Sequence, residues 1–463
     1  MNAKSAKLNL DFGHGGISMN FAMANDFQAR YGAEGDWNVG TIHLNSEEFE
    51  GFPGMPQNRI DEGHVRTAVA SINRIISEWQ RENGYDFDSN LEVTVSAAFF
   101  EALFLPYILP IPGGSSQLRE ITEDDIRKME KCKLPEEMFK APIPDEKIRS
   151  LTSPYFIISN GVRVMEPIGR KTKDFGFNAY FITMHPTLSK FLEIMKEYEE
   201  KIKVSLSCES EFKALANKEE KMTKTALIHI TDSMSEFSVW QDSELKYLNK
   251  KESGFMKLKE TIWRLCLFYH KNPKLAARDS EFIKRGDYME KFYNRVKNAE
   301  VSEESRDILS ADDCSVLLEF VSCALEEETE YSRLELPGRN KSRTNLTISN
   351  YVLSYFARAT IRSLLSEIKQ TMFDDDFCRP KSIILECSLP LKGIEELAGE
   401  VFEVPARKGY VRWDGELKRD LSSAGAGILQ NLISGEDKGS TVEKSKRTTR
   451  ILSLFGNIFS KAS

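Results

Sequence analysis

Residues Ala226-Leu-Ile-His-Ile-Thr-Asp-Ser-Met-Ser-Glu-Phe-Ser-Val239 set two apolar runs, 226–230 and 237–240, on either side of a polar turn. Two strands are expected there, opening a second αβ lobe. Upstream, the first 60 residues alternate short apolar runs (8–12, 17–23, 37–44) with glycine, the rhythm of a strand meander. Val65, Val69, Ile72 and Ile76 then recur at helical spacing, so an amphipathic helix follows over 61–80. The segments 91–97, 155–164 and 175–184 read as strands and 122–132 as a helix. Leu188, Phe191, Leu192, Met195 and Tyr198 line one side of a helix expected over 187–204, facing a core.

Downstream of the quoted stretch, 348–372 reads as a long helix, 382–385 as a buried strand and 393–401 as another helix. Residues 251–300 hold 12 basic and 7 acidic side chains, whereas 301–330 hold 1 and 10. A basic helical segment therefore adjoins an acidic one, either as two solvated faces or as a peptide-binding surface. Residues 434–443 are small and polar, as in a linker.

The whole chain, 463 residues with 41% hydrophobic and 29% charged side chains, suits a folded protein of several packed units. Its 71 acidic and 63 basic residues give a net charge of -8, which argues against nucleic acid as a partner. Seven scattered cysteines (132, 208, 266, 314, 323, 378, 387) form no CxxC, so no structural metal site is expected and a reducing, cytoplasmic setting is. The most apolar stretch, 97–112, is too short and too interrupted to span a bilayer.

After the linker comes Lys444-Ser-Lys-Arg-Thr-Thr-Arg-Ile-Leu-Ser-Leu-Phe-Gly-Asn-Ile-Phe-Ser-Lys-Ala-Ser463. As a helix it carries Ile451, Leu454, Phe455, Ile458 and Phe459 in one apolar stripe. Lys446, Arg447, Arg450 and Lys461 flank the stripe, and the last 23 residues carry a charge of +4. Such a segment favours an anionic membrane surface. Each large apolar side chain contributes roughly 1.5–3 kcal/mol at full burial and each cation about 1 kcal/mol. One copy therefore binds reversibly, and clustered copies bind firmly.

A membrane-seeking tail behind an αβ body, with a β-rich piece inserted early, resembles the FtsA family of actin-like bacterial division proteins. Residues 226–239 align without gaps to the family's ALIDIGGGTTDIAV-type phosphate loop. Glu166-Pro-Ile-Gly169 with 175–184 is similar to its PxGM segment and the next strand, 391–402 to the helix after its adenosine loop, and Ser423-Ala-Gly-Ala-Gly-Ile-Leu429 to its YATAVGLL-type segment. The resemblance implies an α/β, actin-like two-lobed fold (actin/Hsp70/ribonuclease-H type) with an inserted β-rich subdomain and a C-terminal amphipathic helix. The implied division is 1–89 and 173–222 for the first lobe, 90–172 for the insert, 223–433 for the second lobe with an outer subdomain at 251–347, then the linker and the membrane helix at 444–463.

The family's function implies a cell-division adaptor that tethers FtsZ filaments to the inner face of the cytoplasmic membrane at the division site and self-associates. An ATP-dependent actin-like filament and a PilM-like scaffold of a pilus or secretion machine are the rivals. The expected partners are the FtsZ C-terminal tail, an anionic membrane and further copies. Lys284, Arg285, Arg295 and Lys297 are the candidate contacts for the acidic tail peptide.

For ATP and Mg²⁺ the resemblance implies Asp11, Gly13, Gly15, Gly16 and Glu236. The first loop, Asp11-Phe-Gly-His-Gly-Gly-Ile-Ser18, keeps its acid and glycines, with His14 where the family has Thr or Ser. The second has Thr231, Asp232 and Ser233 for three glycines and His229 for its first Asp. Side chains then stand where backbone must meet phosphate, and Asp232 adds a like charge. The adenosine loop, usually Gly-Gly-Gly-Ala, is Glu386-Cys387-Ser388-Leu389-Pro390, and Pro390 stiffens it. ATP binding in the family's manner, and hydrolysis with it, is not expected. His229, inside a strand, reads as a structural hydrogen-bonding residue, His14 as a turn filler, and the Asp374–Asp376 run as a solvated connector.

Overall fold

The computed structural model describes residues 4–13, 16–24, 37–43, 62–87, 90–96, 100–110, 118–131, 147–152, 156–164, 166–198, 201–272, 286–299, 312–324, 331–337, 343–373, 379–410, 412–413, 416–417 and 425–427. The linker at 434–443, the tail at 444–463, His14, Gly15, Lys284 and Arg285 lie outside the described residues. The described chain divides into two compact units, one drawn from 1–223, 238–249 and the residues after 409, the other from 224–237 and 250–409.

The meander appears as β1 (Lys4–Gly13), β2 (Gly16–Ala24) and β3 (Trp37–His43), paired antiparallel in sequence order. Helix α1 (Glu62–Asn83) follows, then β4 (Tyr85–Phe87) and β5 (Asn90–Val95), both parallel to β1. The insert comprises β6 (Phe100–Pro110), β7 (Arg119–Glu120), α2 (Glu123–Lys131), β8 (Lys147–Thr152), β9 (Phe156–Ile158), β10 (Val162–Val164), β11 (Lys171–Thr172) and β12 (Asp174–Met184). Here β12 pairs with β6 along its whole length, and with β8 and β9 on its other side. Thus Asn90–Val95 belongs with β1, while Asp174–Met184 belongs with the insert.

Helix α3 (Pro186–Met195) and β13 (Lys201–Leu206) replace the single helix expected over 187–204. Ile202, Val204 and Leu206 alternate with Lys201, Lys203 and Ser205, and β13 completes the sheet parallel to β5. Tyr198, expected on the core side, is 58% exposed in the turn between them. The strand expected over 155–164 is two antiparallel strands, β9 and β10, turned by the 3-10 segment Ser159–Gly161. The polar 212–223 stretch folds into the end of α4 (Ser207–Leu215) and into α5 (Lys218–Met222), which Asn217 and Glu220 start with a reciprocal capping box.

The second half opens as expected with β14 (Thr225–Ile230) and β15 (Ser235–Gln241), followed by β16 (Glu244–Lys251). Asp242 (φ 53°) and Ser243 (φ 61°) supply the two left-handed residues of a tight hairpin between β15 and β16. Then come α6 (Met256–Lys271), α7 (Gly286–Lys297), a 3-10 segment (Asp312–Phe320), and the hairpin β17 (Tyr331–Pro337) with β18 (Arg343–Ser349). The long helix α8 (Asn350–Phe373), β19 (Ser382–Cys387), α9 (Ile394–Phe402) and β20 (Ala406–Lys408) close it.

One sheet runs β13-β5-β1-β2-β3, the other β16-β15-β14-β19-β20. In both, the first three strands form a meander and the fourth and fifth lie beyond the first strand. Those outer strands run parallel to it, since β14, β19 and β20 are parallel neighbours as β1, β5 and β13 are. This plan, a ribonuclease-H-type sheet used twice in one chain, is the actin-like fold. Leu8, Leu10 and Phe12 of β1 point into a core built with Val65, Val69 and Ile72 of α1 and Leu188 and Phe191 of α3. The Phe12 and Phe191 rings meet edge to face at 5.0 Å. Among the described residues no helix is long and apolar enough to cross a membrane.

Candidate functional site

Strand alternation sends Asn9 and Asp11 to the face opposite Leu8, Leu10 and Phe12. Both are nonetheless buried, at 0% and 4% exposure, and so are Asn20, Thr94 and Ser207. Buried polar atoms need partners, and here they find one another. The Thr41 hydroxyl donates to Asn20 Oδ1 (2.8 Å), and Asn20 Nδ2 donates to Asn9 Oδ1 (3.0 Å). Asn9 Nδ2 donates to Thr94 Oγ1 (3.3 Å), and the Thr94 hydroxyl donates to Asp11 Oδ1 (2.8 Å). Ser207, at the start of α4, adds a second donor to the same oxygen at 3.3 Å. The Asp11 carboxylate thus ends an internal hydrogen-bond chain at the C-terminal side of the parallel strands. Gly13 and Gly16 form the last register pair of the β1–β2 hairpin beside it.

The helical turn Gly425–Gly427 lies against the same network. A Cβ on Gly425 would sit 2.3 Å from Asn20 Cγ, and one on Gly427 would sit 2.0 Å from the Ser210 carbonyl oxygen. Only backbone fits at either place.

The loop with Thr231, Asp232 and Ser233 in place of glycines is closed by its own side chain. Thr231 N–H and Oγ1 both donate to the Met234 carbonyl (2.9 and 3.0 Å), and Met234 N–H donates to Thr231 Oγ1 (3.2 Å). The loop also caps α6. That helix begins at Phe255 without a side-chain cap, so its first amides need other acceptors. Phe255 N–H donates to Thr231 O (2.8 Å) and Met256 N–H to Asp232 O (2.7 Å). The Asp232 carboxylate pairs with Lys259 in the first turn of α6. Glu236, the remaining candidate carboxylate, is 2% exposed within β15. His229 is half-buried in β14, in register with Glu386 of β19.

The segment 386–390 ends on a cavity of about 490 Å³, lined by Pro390, Gly393, Glu395, Glu396, Arg358 and Lys408 among others. Arg358 donates to the Cys323 carbonyl (2.6 Å) and to both oxygens of Glu400 (2.8 and 2.6 Å). Lys408 donates to the Leu391 carbonyl (2.8 Å) and lies 3.2 Å from Glu395. The cavity lining holds no serine, cysteine or histidine. Its lining sets the cations of Arg358, Lys392 and Lys408 beside the carboxylates of Glu395 and Glu396. Burial pushes the neighbouring Cys323 thiol up to about 12.

Of the candidate peptide contacts, Arg295 and Lys297 are exposed on α7. Two residues apart, they point to different sides of the helix. The Arg295 guanidinium lies over the Phe268 ring at 5.4 Å, and the Lys297 ammonium over the Tyr293 ring at 5.9 Å. Sequence reasoning found Asp11 and missed Asn9, Asn20, Thr94 and Ser207. The available signal was the polar pair Asn9 and Asp11 inside an otherwise apolar strand.

No family model matches the chain, and no curated protein matches it. Among solved structures, MreB5 of Spiroplasma citri bound to ADP is 8% identical, with 93% of this chain and 97% of that one covered at a TM-score of 0.44. The MamK double helical filament is 7% identical, with 93% and 99% covered at 0.44. PilM in the PilM-PilN type IV pilus biogenesis complex is 11% identical, with 87% and 88% covered at 0.40.

Proposed function

We propose that this protein is an actin-type scaffold that self-associates and tethers FtsZ filaments to the inner face of the cytoplasmic membrane at the division site, with recruitment rather than catalysis as its work. The carrying observation is the sequence at 444–463, where Lys446, Arg447, Arg450 and Lys461 flank the stripe of Ile451, Leu454, Phe455, Ile458 and Phe459. A weak lipid foot on each copy becomes a firm one when copies are joined, which is what a filament tether requires. The degenerate loops support the non-catalytic part. At 231–234 the loop carbonyls are used by α6, and its carboxylate is held by Lys259. ATP and Mg²⁺ are outside this reading.

The test is co-sedimentation with anionic liposomes. The full chain pellets with vesicles and a chain ending at 443 stays in the supernatant; equal pelleting removes the tether. A pull-down on an FtsZ C-terminal peptide separates division from a pilus or secretion scaffold, because only the division reading expects capture. Light scattering that rises only with ATP favours the rival filament with a working nucleotide site.

A further inference from the structure

The contacts around 231–234 are more than loop closure, because they join two segments that the sequence keeps apart. The loop offers two carbonyls, and the N-terminal end of α6 offers two amides with no other cap. Gly254 lets the segments approach: a Cβ there would lie 2.1 Å from Thr231 O and 2.7 Å from Asp232 O. Ser235 Oγ donates to the Ser253 carbonyl at 2.7 Å, fixing the strand that leaves the loop to the residue before Gly254. Lys259 in the first turn of α6 opposes the positive end of the helix dipole, and the Asp232 carboxylate beside it offsets that repulsion.

We infer that Thr231–Met234 and the first turn of α6 form an internal clasp that holds this loop in one conformation with or without a phosphate-bearing ligand. An anion approaching the end of α6 meets amides already bonded and a carboxylate already in place. The loop of this protein is therefore not a sensor of nucleotide. The clasp is built from contacts within one unit and does not depend on the membrane or FtsZ reading.

Hydrogen exchange measured by mass spectrometry on the full chain tests it, following the peptide that carries the Phe255 and Met256 amides. In the wild type, exchange of these amides is slow and unchanged by millimolar Mg·ATP or inorganic pyrophosphate. In Asp232→Asn it quickens about threefold, the scale of losing one partly exposed ion pair, while α8 exchanges as before. Slowing of the wild-type amides by threefold or more on adding either ligand overturns the clasp, as does Asp232→Asn exchanging like wild type. Liposome and FtsZ-peptide binding read neither amide, so failure of the tether leaves this result standing and the reverse holds too.

Discussion

Alanine in place of Gly427 is a severe test of the packing around Asp11. The added Cβ would stand 2.0 Å from the Ser210 carbonyl oxygen, 2.6 Å from its carbon and 2.9 Å from its Cα. All three are backbone atoms, so no rotamer change relieves the contact, and a shift of more than 1 Å is needed to reach an ordinary separation. Overpacking a close-packed site costs about 1–3 kcal/mol, and an obstacle made of backbone puts this one near about 3 kcal/mol. The same chemical change at Gly399 runs the other way. Its nearest obstacle is the Val404 carbonyl oxygen at 3.4 Å, ordinary contact, and the residue lies inside α9. Alanine there gains about 0.5–1 kcal/mol of helix propensity. Urea unfolding of both variants, followed by circular dichroism and tryptophan fluorescence, therefore gives shifts of opposite sign. Gly427→Ala as stable as wild type would show that the turn at 425–427 does not pack against the Ser210 backbone.

Three further outcomes follow from the site. Glu400 is held below the ordinary carboxylate range first by its hydrogen bond from Arg358, with Arg362 adding to it. A depressed folded value stabilises above the unfolded value near 4.5 and is lost as pH falls through the folded one, so Glu400→Gln lowers the melting temperature above pH 4.5, and the difference from wild type fades as pH falls below it. The Cys323 thiol, pushed up to about 12 by burial, stays unlabelled by N-ethylmaleimide at pH 8 in the native chain and labels on unfolding, read by peptide mapping. Thr94→Val removes the donor 2.8 Å from Asp11 and leaves both Asp11 Oδ1 and Asn9 Nδ2 a partner short. That loss lowers stability by about 1–3 kcal/mol, and Thr94→Ser restores most of it.

The strand meander and α1 were legible because glycine separates the apolar runs and the valines and isoleucines of α1 repeat at 3.6. The boundary at Met195 was not. Leu188 through Met195 carry a helical period that Tyr198 extends by residue type alone, yet Tyr198 faces solvent and β13 begins at Lys201. What overrides the period is sheet completion: Lys201–Leu206 pairs residue for residue with Asn90–Leu91 onward, more than a hundred positions back. Local pattern has no access to such a partner.

The site divides in the same way. Asp11 was visible as a carboxylate beside glycines, whereas the donors that saturate it lie 83 and 196 residues further on. The glycine losses at 231–233 were visible too, but as subtraction only, a loop unable to wrap a phosphate. The structure adds the other half of the argument. Phe255 heads α6 with no side-chain cap, so its first amides need acceptors from elsewhere in the chain. The substituted loop supplies carbonyls to those amides and a carboxylate to Lys259. The carbonyls are backbone atoms that any residues at 231 and 232 would offer, so what the side chains add is the Thr231 closure of the loop and the Asp232 pair with Lys259, and together these satisfy the start of α6 from within the chain.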